Sequence, residues 1–181
     1  MSSKKKKMAV DWIEDNKELI VDVHQKIWEW AEVGLQELKS GKLMADILEE
    51  NGFDVERGVA GMPSAFVATY GSGKPVIGMM GELDALPSIS NKAVPYREPV
   101  VEGGPGHSWQ HVAVGGMSIG HKSTVFASKV MATTVLDLLS KPELLKKVRE
   151  DWEQRMEGLT YKSPLPPDLK PPLHQLEKQP E

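Results

Sequence analysis

Residues 85–106 are the part of the sequence that most limits what this chain can fold into. They show neither the spacing of an amphipathic helix nor the alternation of a strand, and prolines and glycines interrupt them throughout. Periodic segments precede and follow them. Because an unstructured connection of this length is unusual inside a compact domain, it indicates either a functional loop or a place where part of a domain is missing.

The segments before this stretch predict two helices and three strands. Residues 9–32 and 38–51 repeat apolar side chains at helical spacing, with charged side chains on the opposite face. Residues 53–56 and 64–70 have strand character. Residues 75–81 (PVIGMMG) are a continuous apolar run, which suits a strand buried on both faces.

The segments after this stretch predict a short strand and two further helices. Residues 111–114 have strand composition, Ser118 is a candidate N-cap for a helix that runs to Leu139, and Pro142 suits the first turn of a last helix. The predicted fold class is therefore α/β. It is a partial layered domain with two N-terminal helices, a small mixed sheet and two C-terminal helices.

The length of 181 residues suits one domain with additional terminal segments. Residues 1–8 contain four consecutive lysines and are expected to form a disordered basic N-terminus. Residues 9–162 are predicted to form the single α/β domain. Residues 163–181 are rich in proline and are expected to form a tail that is extended across the domain or disordered.

Composition excludes several classes of protein. The formal net charge of −4 provides no general field for binding nucleic acid. The absence of cysteine excludes a disulfide scaffold, an iron–sulfur cluster, a thiolate zinc site and a cysteine nucleophile. No apolar stretch reaches the roughly 18 residues needed to cross a membrane, and the N-terminus lacks the apolar region of a secretory signal. We therefore expect a cytoplasmic protein without nucleic-acid or membrane partners.

Two carboxylates follow the predicted buried strand, in the sequence GELDALP. Glu82 and Asp84 would stand at the carboxyl end of a parallel-type strand, where open α/β sheets bind their ligands. Acidic side chains in that position must face solvent, a cation or a base, because burying an unpaired charge is costly. Asp84 and Glu82 are accordingly the candidate catalytic residues, and a solvated loop edge is the alternative.

Two other patterns are weaker indications of a catalytic or metal-binding site. Gly116-Met117-Ser118-Ile119-Gly120 matches the G-x-S-x-G turn of serine hydrolases, but no later strand carries the acid that a triad requires, so a helix cap is the better interpretation of Ser118. His107 and His111 have a spacing that would share a metal on a helix. In an extended chain they would lie about 13 Å apart, too far for one ion.

The GELDALP segment, the preceding PSAFVATYGSGKPVIG and the later HSWQHVAVGGMSIGHKSTVFASKVMATT resemble the aminobenzoyl-glutamate utilisation protein B group of metallopeptidase family M-twenty. The resemblance extends from about Trp12 to Pro172. It implies a zinc-aminopeptidase-like α/β domain, a smaller dimerising lid domain, and two divalent metals, zinc or manganese. The implied reaction is hydrolysis of N-acyl amino acids such as p-aminobenzoyl-glutamate.

The resemblance also implies which residues remain and which are missing. His107 matches the last metal-ligand histidine, Asp84 matches the acid of the Asp-Ala-Leu motif, and Glu82 stands where related carboxypeptidases have a ligand histidine. Family members are longer, and their middle part carries the other ligands, the catalytic glutamate and the lid. We therefore expect a junction near residues 103–107, where the two outer parts of a catalytic domain are joined.

We therefore expect this chain to be a metal-dependent amidohydrolase by resemblance, with impaired or no catalysis. The reason is that the two remaining ligands cannot fill a tetrahedral metal site. The metal is expected to bind weakly or not at all. One alternative is a non-catalytic interaction protein that binds itself or a full-length paralogue, since removing the middle of a layered domain exposes apolar faces. A further alternative is a serine esterase that uses Ser118.

Overall fold

The structure is a computed structural model that describes residues 2–86, 93–94 and 109–170. Six α-helices and two short strands follow one another along this part of the chain. They are α1 (Ser2–Asp15), α2 (Lys17–Trp30), α3 (Leu38–Glu50), β1 (Asp54–Arg57), β2 (Phe66–Thr69), α4 (Trp109–Gly115), α5 (Ser118–Ser140) and α6 (Pro142–Met156). The predicted mixed α/β class is confirmed, with helices at both ends and a small sheet between them.

The N-terminal region contains two helices where a single one was predicted over residues 9–32. The break falls at Asn16, whose side-chain amide donates to the Trp12 carbonyl at 2.8 Å and so competes with the helical backbone. Residues 2–8 were expected to be disordered, but the structure places them in α1. Lysine is a good helix former, and Lys7 pairs with Asp11 one turn later.

The sheet is small and antiparallel. Strands β1 and β2 pair from Asp54 opposite Thr69 to Arg57 opposite Phe66. Helix α3 packs against both strands, and it ends at Asn51 and Gly52 as predicted, with Gly52 at a φ of 86°. Outside this sheet, the described residues form one isolated parallel bridge, between Val33 and Ala85.

The predicted buried strand over residues 75–81 was wrong. These residues have no strand assignment, and the side chains of Val76 and Met80 are 82% and 91% exposed. A continuous apolar run becomes a buried strand only where neighbouring strands supply hydrogen-bond partners on its edges. The described part of the chain supplies none of these partners for residues 75–81.

The C-terminal helices were predicted more accurately than the segment that precedes them. Helix α5 begins at Ser118 and α6 begins with Pro142 in its first turn, as expected. The cap of α5 is Met117, however, and no side chain caps that helix, so the N-cap assignment of Ser118 was wrong. Residues 111–114 were predicted as a strand, but they belong to the short helix α4.

Helix α5 is the element around which the helices are arranged. Helices α1 and α2 pack along it, and α4 and α6 contact it at its two ends. In the described part of the chain the buried side chains are few: Ile13, Ser40, Ala45 and Ala113. None of the described helices is both long and apolar enough to span a bilayer. Residues 163–170 are exposed and carry neither helix nor strand.

Candidate functional site

Glu82 and Asp84 lie in an exposed segment that follows no strand. Among the described residues, the backbone of this segment forms a hydrogen bond at its end, where the amide of Ala85 donates to the Glu32 carbonyl at 2.6 Å. There Asp84 lies beside the loop after α2, and a Cβ built on Gly34 would be 3.7 Å from its Oδ2. Both carboxylates lie outside the buried core, so the expected position at the carboxyl edge of a buried strand was wrong.

The structure does not bring a set of metal ligands together in its described residues. Among residues 2–86, 93–94 and 109–170, no group of three or more histidine, aspartate and glutamate side chains is placed to hold a metal ion. His107, the other predicted ligand, lies outside the described residues, as do residues 103–106 of the predicted junction. The donor set present in the described part therefore does not fit a pair of divalent metals.

A cluster of polar side chains does form where α2 meets α4 and α5. The Nε2 atom of His24 lies 2.8 Å from the carbonyl oxygen of Gly115. Because that oxygen only accepts, Nε2 must carry the proton, which leaves Nδ1 to face the Thr124 hydroxyl at 3.3 Å. His121 donates from Nε2 to the side-chain oxygen of Gln25 at 2.9 Å, and its ring meets that of His24 edge to face at 5.8 Å.

Trp28 extends this cluster along the same face of α2. Its indole Nε1 donates to the carbonyl oxygen of Val112 at 2.7 Å. Val112 and Gly115 lie in the last turn of α4, where a helix leaves carbonyl groups without internal partners. Side chains of α2 therefore satisfy the carboxyl end of α4, which gives the cluster a structural role.

Sequence reasoning missed His24 and Trp28, although their spacing of four residues was visible and places both on one face of α2. What the sequence could not show is that this face meets the end of another helix. His121 contacts Gln25 and His24.

The glycines around Ser118 have a packing explanation. A Cβ on Gly116 would lie 2.8 Å from the Trp28 ring, and one on Gly120 would lie on the carbonyl oxygen of Val114. Gly116 needs to be glycine because the Trp28 ring of α2 lies against it, and Gly120 because α5 lies close to the backbone of α4. Ser118 itself is exposed at the start of α5, and its hydroxyl bonds to no histidine of the described residues.

Two other carboxylates, those of Glu32 and Glu37, are engaged in hydrogen bonds that hold the start of α3 and its surroundings. Glu32 accepts hydrogen bonds from the amides of Lys39 and Ser40 and from the Ser40 hydroxyl, all at 2.8–2.9 Å. It thereby satisfies free amides at the start of α3. Glu37 accepts from the Leu35 amide and from the Ser64 hydroxyl. Neither group is available to act on a ligand without giving up these bonds.

A shallow cavity of about 280 Å³ lies between α3 and the residues around the sheet. Its polar wall contains Lys42, Asp46 and Arg57. Hydrogen bonds from Lys42 and Arg57 lower the pKa of Asp46, and hydrogen bonds to Glu49 and Asp46 raise the pKa of Arg57. The charges in this cavity are paired with one another, and Glu82 and Asp84 do not line it.

Comparison with known proteins confirms the resemblance seen in the sequence. The chain is 38% identical over 106 residues to a subunit of the p-aminobenzoyl-glutamate hydrolase of Escherichia coli (strain K12), an alignment that covers 58% of this chain and 22% of the relative. It is 29% identical over 125 residues to thermostable carboxypeptidase 1 of Saccharolobus solfataricus, covering 68% of this chain and 31% of the relative. The chain is thus similar to amidohydrolases and carboxypeptidases.

The chain spans about a fifth to a third of the length of these curated relatives. A second thermostable carboxypeptidase of S. solfataricus is 29% identical over 132 residues and extends the match to 72% of this chain and 33% of the relative. No family model and no solved structure matches the chain. The similarity therefore concerns only part of each relative.

Proposed function

We propose that this chain is related by descent to amidohydrolases of N-acyl amino acids such as p-aminobenzoyl-glutamate and has little or no catalytic activity of its own. The similarity to a p-aminobenzoyl-glutamate hydrolase supports the substrate class. The observation that carries the loss of activity is the position of Glu82 and Asp84. They lie on a segment without strand neighbours, and no third metal-binding side chain among the described residues joins them.

The proposal includes zinc or manganese as the metal, bound weakly or not at all. Asp84 and His107 are the ligands that the resemblance names, with Glu82 as a candidate third. Two or three ligands leave most positions around the ion to water, so the ion is held loosely. A bound metal would supply Lewis-acid activation of the amide and of water. The proposal further includes an internal deletion near residues 103–107 and a cytoplasmic location.

The test is an amidase assay on the purified chain with p-aminobenzoyl-glutamate and added zinc or manganese. We expect no more product than the metal ions release alone. Robust hydrolysis that is lost in His107→Ala and Asp84→Ala would overturn the proposal, because an active site would then exist. Elemental analysis of the same preparation measures bound metal directly, and we expect less than one ion per chain.

An interaction role is the second candidate, and the exposed apolar side chains favour it. Val76, Met80 and Phe126 are 82%, 91% and 67% exposed. Val76, Met79 and Met80 are exposed within five residues of one another, and neighbouring exposed apolar side chains are typical of surfaces that bind other proteins. The partner would be a second copy of the chain or a full-length paralogue. Light scattering after size-exclusion chromatography tests self-binding, and co-purification with the paralogue tests the other partner.

The serine esterase alternative has no comparable support. Ser118 stands at the start of α5, and the described histidine nearest in sequence, His121, bonds to Gln25. A fluorophosphonate probe that labels the chain, and fails to label Ser118→Ala, is the result this alternative requires. We expect no labelling of either protein.

A further inference from the structure

Residues 76–83 combine exposed apolar side chains with a backbone that forms no hydrogen bond to another described backbone group. Met80 is 91% exposed, Val76 is 82% exposed and Met79 is 55% exposed. A protease binds the chain around the bond that it cuts in an extended form, and it hydrogen-bonds to the backbone there. A segment whose backbone groups and side chains are both accessible in the folded chain meets this requirement.

We propose that the peptide bond between Met80 and Gly81 is a proteolytic processing site, and that the two parts of the chain stay associated after the cut. The protease is one whose specificity pocket accepts a large apolar side chain, here that of Met80. This inference goes beyond the proposed function, because it concerns a modification of the chain and not the reaction or the partner of the chain.

The reaction is hydrolysis, and water is its co-reactant. The oxygen of the water forms a bond to the carbonyl carbon of Met80, and the bond between that carbon and the nitrogen of Gly81 breaks. Both protons of the water end on that nitrogen. The products are a carboxylate at Met80 and an ammonium group at Gly81, so atoms and charge balance.

Exposure selects the bond after Met80 among the bonds of this segment. Met80 has the largest exposed fraction of the large apolar side chains that the structure describes, whereas Ile77 and Leu83 are half-buried. A Cβ built on Gly78 or on Gly81 meets no described atom within 4 Å. The backbone on both sides of the two methionines is therefore open to an approaching protease.

Phe126 shows why exposure alone does not make a site. Its side chain is 67% exposed, but it lies inside α5, where the backbone N–H and carbonyl groups bond to one another along the helix. A protease cannot extend this part of the backbone unless the helix first unfolds. Phe126 is thus the internal comparison for Met80.

Hydrogen bonds at the junction of α2, α4 and α5 hold together the two parts that the cut would produce. His24 bonds to the carbonyl oxygen of Gly115 at 2.8 Å, and Trp28 bonds to that of Val112 at 2.7 Å. Each bond joins a residue before the cut to a residue after it. The amide of Ala85, which follows the cut closely, donates to a carbonyl oxygen before it at 2.6 Å.

Helices α1 and α5 add a second set of contacts between the two parts. Helix α1 packs along α5, Lys6 pairs with Asp137, and Lys129 pairs with Glu14. None of these contacts depends on the bond between Met80 and Gly81. We therefore expect the cut chain to remain a noncovalent complex.

The first test is limited proteolysis of the folded chain with chymotrypsin, which accepts large apolar residues before the bond that it cuts. Mass spectrometry and N-terminal sequencing identify the fragments. We expect a new N-terminus at Gly81 and no cut at Phe126 while the chain is folded. The proposal is overturned if no N-terminus appears at Gly81 at any concentration of the chain, or if the bond after Phe126 is cut equally fast.

A substitution tests whether the protease recognises the side chain of Met80. Met80→Asp replaces the apolar side chain with a charged one, and we expect the cut at Gly81 to slow about ten-fold or more. Met8→Asp is the matched control, because Met8 is 62% exposed but lies in α1. We expect this control to be cut at the unmodified rate. A Met80→Asp chain that is cut as fast as the control contradicts the assignment.

Urea below the unfolding transition tests whether the cut requires unfolding. The rate at Gly81 is compared with the rate on a free peptide of residues 76–84 in the same urea, which corrects for the effect of urea on the protease. We expect a constant ratio, because the segment is accessible in the folded chain. A ratio that rises with urea shows that the chain must unfold first, and it would overturn the proposal.

Size-exclusion chromatography of the cut chain tests the association of the two parts. We expect both fragments to elute together in native buffer and to elute apart in concentrated urea. Fragments that already elute apart in native buffer contradict the association. The amidase assay described above is independent of this result, since it is carried out on the uncut chain.

Discussion

The junction of α2, α4 and α5 and the segment of residues 74–86 differ in how they treat polar groups. At the junction, His24 and Trp28 each donate to a carbonyl oxygen that α4 leaves free. In the segment that carries Glu82 and Asp84, the backbone finds a described partner only at Ala85. Glu82 and Asp84, which were predicted to act in catalysis or metal binding, are thus held by few contacts in the described structure. His24 and Trp28, which are held by hydrogen bonds, stabilise the fold.

The largest expected loss of stability comes from a substitution that disrupts the junction of α2, α4 and α5. Gly120→Ala would place a Cβ on the Val114 carbonyl oxygen and 2.6 Å from that of Gly115, so α4 and α5 must separate. We expect a loss of about 3 kcal/mol in the free energy of unfolding, measured with urea. Gly81→Ala is the control from the exposed segment, where a Cβ meets nothing within 4 Å. A loss of similar size in both variants would remove the contrast between the two regions.

A smaller loss of stability is expected from removing the carboxylate of Glu32, in contrast to removing that of Glu82 in the exposed segment. Glu32→Ala removes three hydrogen bonds at the start of α3 and leaves the amides of Lys39 and Ser40 without their acceptor. We expect it to destabilise the chain by about 2 kcal/mol. Glu82→Ala removes an exposed side chain and should change stability by less than about 0.5 kcal/mol. The contrast is lost if Glu82→Ala costs as much as Glu32→Ala in the same denaturation experiment.

The indole hydrogen bond of Trp28 provides a finer measurement. Trp28→Phe keeps most of the ring and leaves the Val112 carbonyl without its donor, so we expect a loss of about 1–2 kcal/mol. Trp152→Phe is the control, because Trp152 is half-exposed and contacts the guanidinium of Arg149 at 4.5 Å. In a thermal unfolding experiment, we expect the midpoint temperature of Trp28→Phe to be lower than that of the unmodified chain and that of Trp152→Phe to be close to it.

The ion pairs between α1 and α5 predict that the stability of the fold decreases at acid pH. Lys141 and Lys6 hold the pKa of Asp137 below its ordinary value of 3.8, and Lys129 holds the pKa of Glu14 below 4.5. Each carboxyl binds its proton more weakly in the folded chain. Its contribution is therefore complete above the ordinary pKa and is lost as the pH falls through the lowered folded-state value.

We expect the urea midpoint to fall between about pH 5 and about pH 3, and to fall less steeply in Asp137→Asn/Glu14→Gln. Asp11→Asn is the control, since Asp11 pairs with Lys7 inside α1 rather than with another helix. An acid profile that the double variant leaves unchanged would assign the pH dependence to other groups.

Much of the helical part could be predicted from the sequence. The bounds of α3, α5 and α6 follow the apolar periodicity closely, and Pro142 and Gly52 stand at helix ends as their backbone preferences dictate. The paired strands β1 and β2 were also found close to the predicted ranges. These features are local, because a helix satisfies its own hydrogen bonds and a hairpin pairs neighbouring segments.

The candidate site could be predicted only as residue types. Glu82 and Asp84 were identified from their sequence context, but their surroundings depend on whether residues 75–81 find strand neighbours. The role of His24 was invisible because its partner, the Gly115 carbonyl, is 91 residues away in the chain. A side chain that satisfies a distant backbone group leaves no periodic signal in the sequence.

The amino-acid sequence by itself determined the mixed α/β class, the main helices and the similarity to part of a p-aminobenzoyl-glutamate hydrolase subunit and of carboxypeptidases, since periodicity and motif identity are properties of contiguous residues. Only the tertiary structure decided that residues 109–115 are a helix whose end is satisfied by α2, and that residues 75–81 have no strand neighbour among the described residues. The physical reason is the same in both cases. An apolar or β-branched run has only a tendency to form a strand. Whether it forms one depends on the backbone hydrogen-bonding groups that neighbouring elements provide.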